Sequence, residues 1–165
     1  RTLVAGNSPY DRFLGGEVEA LSVNEQRGMD VFFHDGHCSA CHAGANFTDG
    51  AFHNIGIGYR DNDRPEDVGR GAITQLVGDR GGFRTPRLRD VDRTAPYMHD
   101  GSLATLEEVV EFYNHGGIPN PQLDEEIYPL GLSDQQKSDL IEFLRSALRS
   151  SDYPSARGSG SEDSI

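Results

Sequence analysis

Apolar residues fall into three stripes along the chain, separated by long stretches with no hydrophobic period. Met29, Phe32 and Phe33 form the first, ahead of Gly36. Ser22-Val23-Asn24-Glu25 precedes it as a capping box, in which the Ser hydroxyl and the Glu carboxylate satisfy orphan backbone donors reciprocally. A helix is predicted to start near Ser22. In the second stripe Leu106, Val109, Val110 and Tyr113 recur at i, i+3, i+4 and i+7, one face of a helix. Thr105 and Glu108 cap it, and Asn114-His115-Gly116-Gly117 ends it, with glycine placed for a C-cap. Leu140, Ile141, Leu144, Ala147 and Leu148 form the third. Ser133 and Gln136 make its box, and Arg145 and Arg149 complement its dipole near the end.

The 165 residues suit one domain, and 35% hydrophobic content with 20 Gly and 8 Pro leaves much of it as loop. Residues 1–21 read as an irregular segment, with Asn7-Ser8-Pro9 and Gly15-Gly16 as turn signals. The folded unit is predicted over 22–149. Residues 150–165 have no periodicity and read as a disordered or extended tail. There is no internal repeat. A loop-rich domain of this size buries little apolar surface by itself.

Lys and Arg total 15 against 27 Asp and Glu, a net charge of −12. That excludes nucleic acid and anionic membrane as natural partners. It suits a basic redox partner, and it equally suits an exported protein kept soluble by its charge. No apolar run is long enough to span a membrane. The opening Arg1-Thr2-Leu3-Val4-Ala5-Gly6 is not a signal peptide and reads as a mature or cleaved N-terminus.

Both cysteines lie in Cys38-Ser39-Ala40-Cys41-His42, and C-x-x-C-H is the attachment signal of a c-type haem. Two thiols at this spacing add to two vinyl groups, and the adjacent imidazole becomes the proximal iron ligand. A thioredoxin-like pair would follow a strand, whereas a helix precedes this motif. A zinc half-site would need two further ligands, and no second C-x-x-C exists. One covalent haem also supplies the core that composition lacks. The predicted class is therefore mainly α and cytochrome c-like, with about three main helices and long loops around the cofactor. Covalent haem attachment places the protein in the periplasm or otherwise outside the cytoplasm.

Glycines and prolines punctuate residues 43–95. Within them Phe47, Phe52, Ile55, Ile57, Ile73, Leu76 and Phe83 are predicted to pack on haem edges. Phe83-Arg84-Thr85-Pro86-Arg87-Leu88-Arg89 is a basic patch in an acidic chain, and arginine binds carboxylates bidentately. Arg84 is the candidate for a haem propionate, with a surface ion pair as the alternative. Candidates for the distal side of the iron are Met98, His99 and Tyr113, then His34, His37, His53 and His115. Ligand chemistry alone favours Met98, because His/Met is the usual pair in electron-transfer cytochromes.

The order of motifs is informative. Asn7-Ser8-Pro9-Tyr10-Asp11-Arg12-Phe13-Leu14, Leu21-Ser22, Gly28 and C-x-x-C-H are followed by Asn46-Phe47-Thr48-Asp49-Gly50. Phe83 to Val91, Thr94-Ala95-Pro96-Tyr97-Met98-His99-Asp100-Gly101 and Thr105 to Val110 come next. Over about residues 7–149 this resembles the C-terminal haem domain of the bacterial di-haem cytochrome c peroxidase/MauG family. The resemblance implies a distal ligand on the helix after the Pro96–Gly101 loop, at Tyr113, fourteen residues past His99. In that family peroxidases carry methionine at the position and the MauG-like branch carries tyrosine. It also implies a calcium ion between two domains, bound by the backbone carbonyls matching Thr94 and Pro96 and conditional on a partner domain.

The chain departs from the family in having a single C-x-x-C-H and no Trp. The resemblance implies that a second, peroxide-reactive haem lies on a missing domain or a separate chain, unless a single-haem protein has been derived from the family. The resemblance thus implies the electron-transfer part of a peroxidase-like oxidoreductase, this domain by itself passing electrons only. The alternative is a stand-alone mono-haem cytochrome or the cytochrome subunit of a larger redox complex.

Overall fold

Three capping boxes set the helical frame, and each closes reciprocally in the computed structural model, which describes residues 6–60 and 65–151. The elements are α1 (Pro9–Leu14), α2 (Val23–Phe33), β1 (Phe52–His53), α3 (Gly71–Thr74), β2 (Phe83–Arg84), α4 (Leu106–Asn114) and α5 (Asp134–Glu142). A π-helical turn, Phe143–Ala147, continues α5. β1 and β2 pair antiparallel, Phe52 opposite Arg84 and His53 opposite Phe83. The described residues are mainly helix and loop, as the pattern predicts.

At the Ser22 cap, the hydroxyl accepts from the Glu25 N–H at 3.2 Å and the Glu25 carboxylate accepts from the Ser22 N–H at 2.6 Å. Thr105 with Glu108 and Ser133 with Gln136 repeat the arrangement. Each cap removes two unsatisfied donors, so these short helices start at fixed residues.

The core lies where α2 packs along α5, with α4 against α5. Leu21, Val31, Phe32, Leu106, Val110, Leu140, Phe143, Leu144 and Leu148 are buried there. Phe32, Phe47, Phe143 and Tyr10 meet at tilted and edge-on angles, geometries that aromatic quadrupoles favour. Gly28 permits the α2–α5 approach. A Cβ at that position would lie 2.0 Å from the Asp139 carbonyl oxygen.

Two expectations need correction. The segment 1–21 is not irregular throughout, because α1 and a 3₁₀ turn at Val18–Ala20 lie in it. Ser8 and Asp11 form a fourth capping box, and Pro9 supplies the φ of a first helical position. The folded unit also passes residue 149. Ser150 is buried, its N–H and hydroxyl each donating to the Asp90 carboxylate at 2.8 Å. The rest of the expected tail, 152–165, lies outside the described residues.

Candidate haem-attachment site

The chain leaves α2 through a tight turn. Gly36 N–H donates to the Val31 carbonyl at 2.7 Å, and His37 adopts a left-handed φ of 52°. Cys38–Ala40 then form a 3₁₀ turn, and the His42 N–H donates to the Cys38 carbonyl at 2.9 Å. The five motif residues therefore wind as one turn, which keeps both thiols and the imidazole together.

His42 is oriented from behind. Its Nδ1 lies 2.9 Å from the Phe47 carbonyl oxygen. A carbonyl only accepts, so Nδ1 carries the proton and Nε2 keeps the lone pair. Metal-bound histidines are held in this way, with the second nitrogen donating to a carbonyl or carboxylate. Burial lowers the pKa of His42, outweighing the Phe47 carbonyl, Asp49 and the Pro86 carbonyl, so the neutral, ligating form is favoured.

One cavity, partly open to solvent, joins these groups. Cys38, Cys41 and His42 line one wall together with Gly36, His37 and Ala40. Tyr113 of α4 lines it too, and Glu126, Ile127, Tyr128 and Leu130 complete it. The Tyr113 hydroxyl makes no hydrogen bond among the described residues. Burial raises its pKa above the ordinary phenol value, and negative charge on either thiol would add to that. A cation bound there would displace the phenolic proton.

The thiols are free, and burial pushes Cys38 up to about 12 and Cys41 up to about 11, the latter helped by Asp49, Asp124 and Glu126. Two thiols, a neutral imidazole and an unpartnered phenol around one cavity fit the donor set of a c-type haem.

The other candidate residues lie elsewhere. Met98, at φ 71°, and the exposed Thr94 and Pro96 do not line the cavity. Exposed Arg84 donates from Nε to the Gly50 carbonyl at 3.2 Å and is likewise outside the cavity walls. His99 stacks on Phe83 with ring centroids 3.5 Å apart. His34 and His115 are exposed beside Asp30 and Glu111 on their own helices. His37 pairs with Glu126 at 2.5 Å and packs against Tyr128 at the cavity wall. His53 holds two carboxylates, Asp124 at 2.6 Å and Asp49 at 2.9 Å.

The expected apolar lining is replaced by another. None of Phe47, Phe52, Ile55, Ile57, Ile73, Leu76 and Phe83 lines the cavity. Phe47 belongs to the helical core, while Phe52, Ile73 and Leu76 are exposed. The cavity's apolar wall comes from Ile127, Tyr128 and Leu130, which sequence reasoning missed. Ile127-Tyr128-Pro129-Leu130 is a short apolar run between two helices, and its proximity to a helix ending in Tyr113 is the signal that was available.

No family model matches the chain. Among known proteins it is 40% identical over 146 residues to the methylamine utilization protein MauG of Methylorubrum extorquens, covering 87% of this chain and 40% of that protein. It is 38% identical over 168 residues to the cytochrome-c peroxidase IdrP2 of Denitromonas iodatirespirans, covering 87% and 45%. A solved MauG-like protein associated with microbial copper homeostasis superposes with a TM-score of 0.79 at 35% identity, over 87% of this chain and 51% of that one. The chain thus spans less than half the length of the curated relatives it matches.

Proposed function

Because the chain is a half-length relative of the MauG and di-haem cytochrome c peroxidase family, we propose that it is the electron-transfer half of a peroxidase-like oxidoreductase. It carries one covalent haem c and passes electrons to or from a second haem on another domain or chain. Cys38 and Cys41 hold the haem by thioether bonds, His42 is the proximal ligand and Tyr113 the distal one. When bound, the haem supplies a one-electron couple. The chain's own residues orient the imidazole through the Phe47 carbonyl, place a phenol within the same cavity and wall it with Ile127, Tyr128 and Leu130. The observation that carries the reading is the convergence of both thiols, His42 and Tyr113 on one cavity.

Arg84 as a propionate partner and a calcium ion on the Thr94 and Pro96 carbonyls remain part of the proposal, the calcium conditional on a partner domain. Export to the periplasm accords with covalent haem, and no helix among the described residues is long and apolar enough to cross a membrane. The test is expression with a haem c maturation system, followed by mass measurement and electron exchange with a co-expressed haem domain of a relative. Covalent haem and inter-domain electron transfer are expected. A chain that matures without haem overturns the proposal.

A single C-x-x-C-H and a net charge of −12 favour a second reading, a stand-alone carrier serving a basic partner. Catalytic peroxide turnover by the isolated chain would exclude it.

A further inference from the structure

Arg89 is a buried cation whose guanidinium makes four hydrogen bonds, three to Ser8 and Asp11 at the start of α1 and one to the turn that follows His42. Its Nη1 and Nη2 donate to the two oxygens of Asp11 at 2.8 and 2.6 Å. Nη1 also reaches the Ser8 hydroxyl at 3.3 Å, and Nε donates to the Ala45 carbonyl at 2.6 Å. The guanidinium carbon lies 5.6 Å from the centre of the Phe47 ring. Ala45 and Phe47 belong to the turn that follows the haem motif. In it the Phe47 N–H donates to Gly44 at 3.0 Å and the Thr48 N–H to Ala43 at 2.8 Å. Phe47 has a left-handed φ of 54°, a conformation that a bulky residue keeps only where its surroundings hold it.

Burying an ion pair is a poor way to gain stability, because desolvation offsets the attraction. The pair does bring geometry. A planar fork can grip a carboxylate with two N–H groups and still present Nε to a carbonyl. Asp11 lies on α1 and Ala45 beside the haem motif, so Arg89 ties the first helix to the turn carrying the Phe47 carbonyl. That carbonyl accepts from His42 Nδ1.

We infer that Arg89, gripped by Asp11, is a positioning residue for His42: it sets the 43–48 turn so that the Phe47 carbonyl holds the imidazole in its iron-binding tautomer. This rests on the haem reading above. A firm Nδ1–H bond raises ligand basicity and lowers the iron potential. Loosening the turn should raise it. A merely structural role for Arg89 would change stability and leave the potential where it is.

The experiment compares wild type, Arg89→Lys and Asp11→Asn with Arg87→Gln, an exposed arginine of the same segment, as the control. Haem content is read by mass, helical content by circular dichroism, the couple by redox titration and the iron–imidazole bond by resonance Raman of the ferrous protein. Arg89→Lys and Asp11→Asn are expected to raise the midpoint potential and lower the iron–imidazole stretching frequency, with Arg87→Gln unchanged. Asp11→Asn leaves the arginine in place, so it keeps the test open if Arg89→Lys does not fold. Haem-loaded variants with wild-type potential and frequency would overturn the assignment. A wild-type chain without covalent haem would overturn the haem reading instead. The same variants would then be compared by the ring ¹⁵N shifts of His42, where an unchanged Nδ1–H tautomer in both would sink the role of Arg89.

Discussion

Gly28 and Asp139 touch backbone to backbone, so closely that a Cβ on Gly28 would fall 2.0 Å from the Asp139 carbonyl oxygen and 2.8 Å from Phe143 Cβ. The clash is with main chain, which cannot rotate aside. Beside it Arg27 grips the Asp139 carboxylate at 2.7 and 3.0 Å, so the two helices are also fixed laterally.

Gly28→Ala is expected to destabilise the fold by at least about 1–3 kcal/mol, the range for overpacking a core. Denaturant unfolding checks this through the midpoint. A midpoint equal to wild type would mean that the α2–α5 contact has room for a methyl group.

Tyr113→Phe should change the resting ferric spectrum, by opening the distal position or admitting another ligand. Met98→Leu should leave it nearly unchanged, since Met98 does not line the cavity. A sulfur-to-iron charge-transfer band in the wild type, lost in Met98→Leu and kept in Tyr113→Phe, would transfer the ligand role to Met98.

His53 gives stability a pH dependence of definite sign. Burial lowers its pKa, but the hydrogen bonds to Asp124 and Asp49 outweigh burial and raise it overall. The protonated ring therefore stabilises the fold fully below about pH 6.5, the unfolded value, and this is lost as pH rises through the raised folded value. Unfolding midpoints across that window should fall on the alkaline side in the wild type and be flatter in His53→Gln. Parallel profiles would exclude the clamp.

Electron exchange with a basic partner should slow as salt rises, because ions screen the attraction of a −12 chain. Stopped-flow rates across a salt series measure the slope. Rates indifferent to salt would remove charge steering from the account.

How much of this was readable beforehand follows from how local each signal is. Ser22, Thr105 and Ser133 announce helix starts because a capping box closes within four residues. Cys38, Cys41 and His42 are legible for the same reason. The box at Ser8 and Asp11 is as local, but aspartate in place of glutamate hid it. Tyr113 needed a helix stripe and a family register together. The wall at Ile127–Leu130 has no local signature. It is set by distant hydrogen bonds, Leu130 N–H to the Asn114 carbonyl at 3.1 Å and His53 to Asp124 at 2.6 Å. Ile73, on α3, and Leu76 are exposed, which hydrophobicity alone does not foretell.

Among the cavity's walls are two distant parts of the chain that each offer an iron ligand, the turn at His42 and the helix end at Tyr113. A cofactor bonded to the first and ligated by the second would act as a cross-link, closing the glycine-rich stretch between them into a ring. A disulfide closing a loop of such length lowers the entropy of the unfolded chain by an amount worth about 3–5 kcal/mol. On that footing, changing the tyrosine ligand should weaken the whole fold as well as the colour of the iron, and the haem-free chain should unfold with less cooperativity than the haem-bound one.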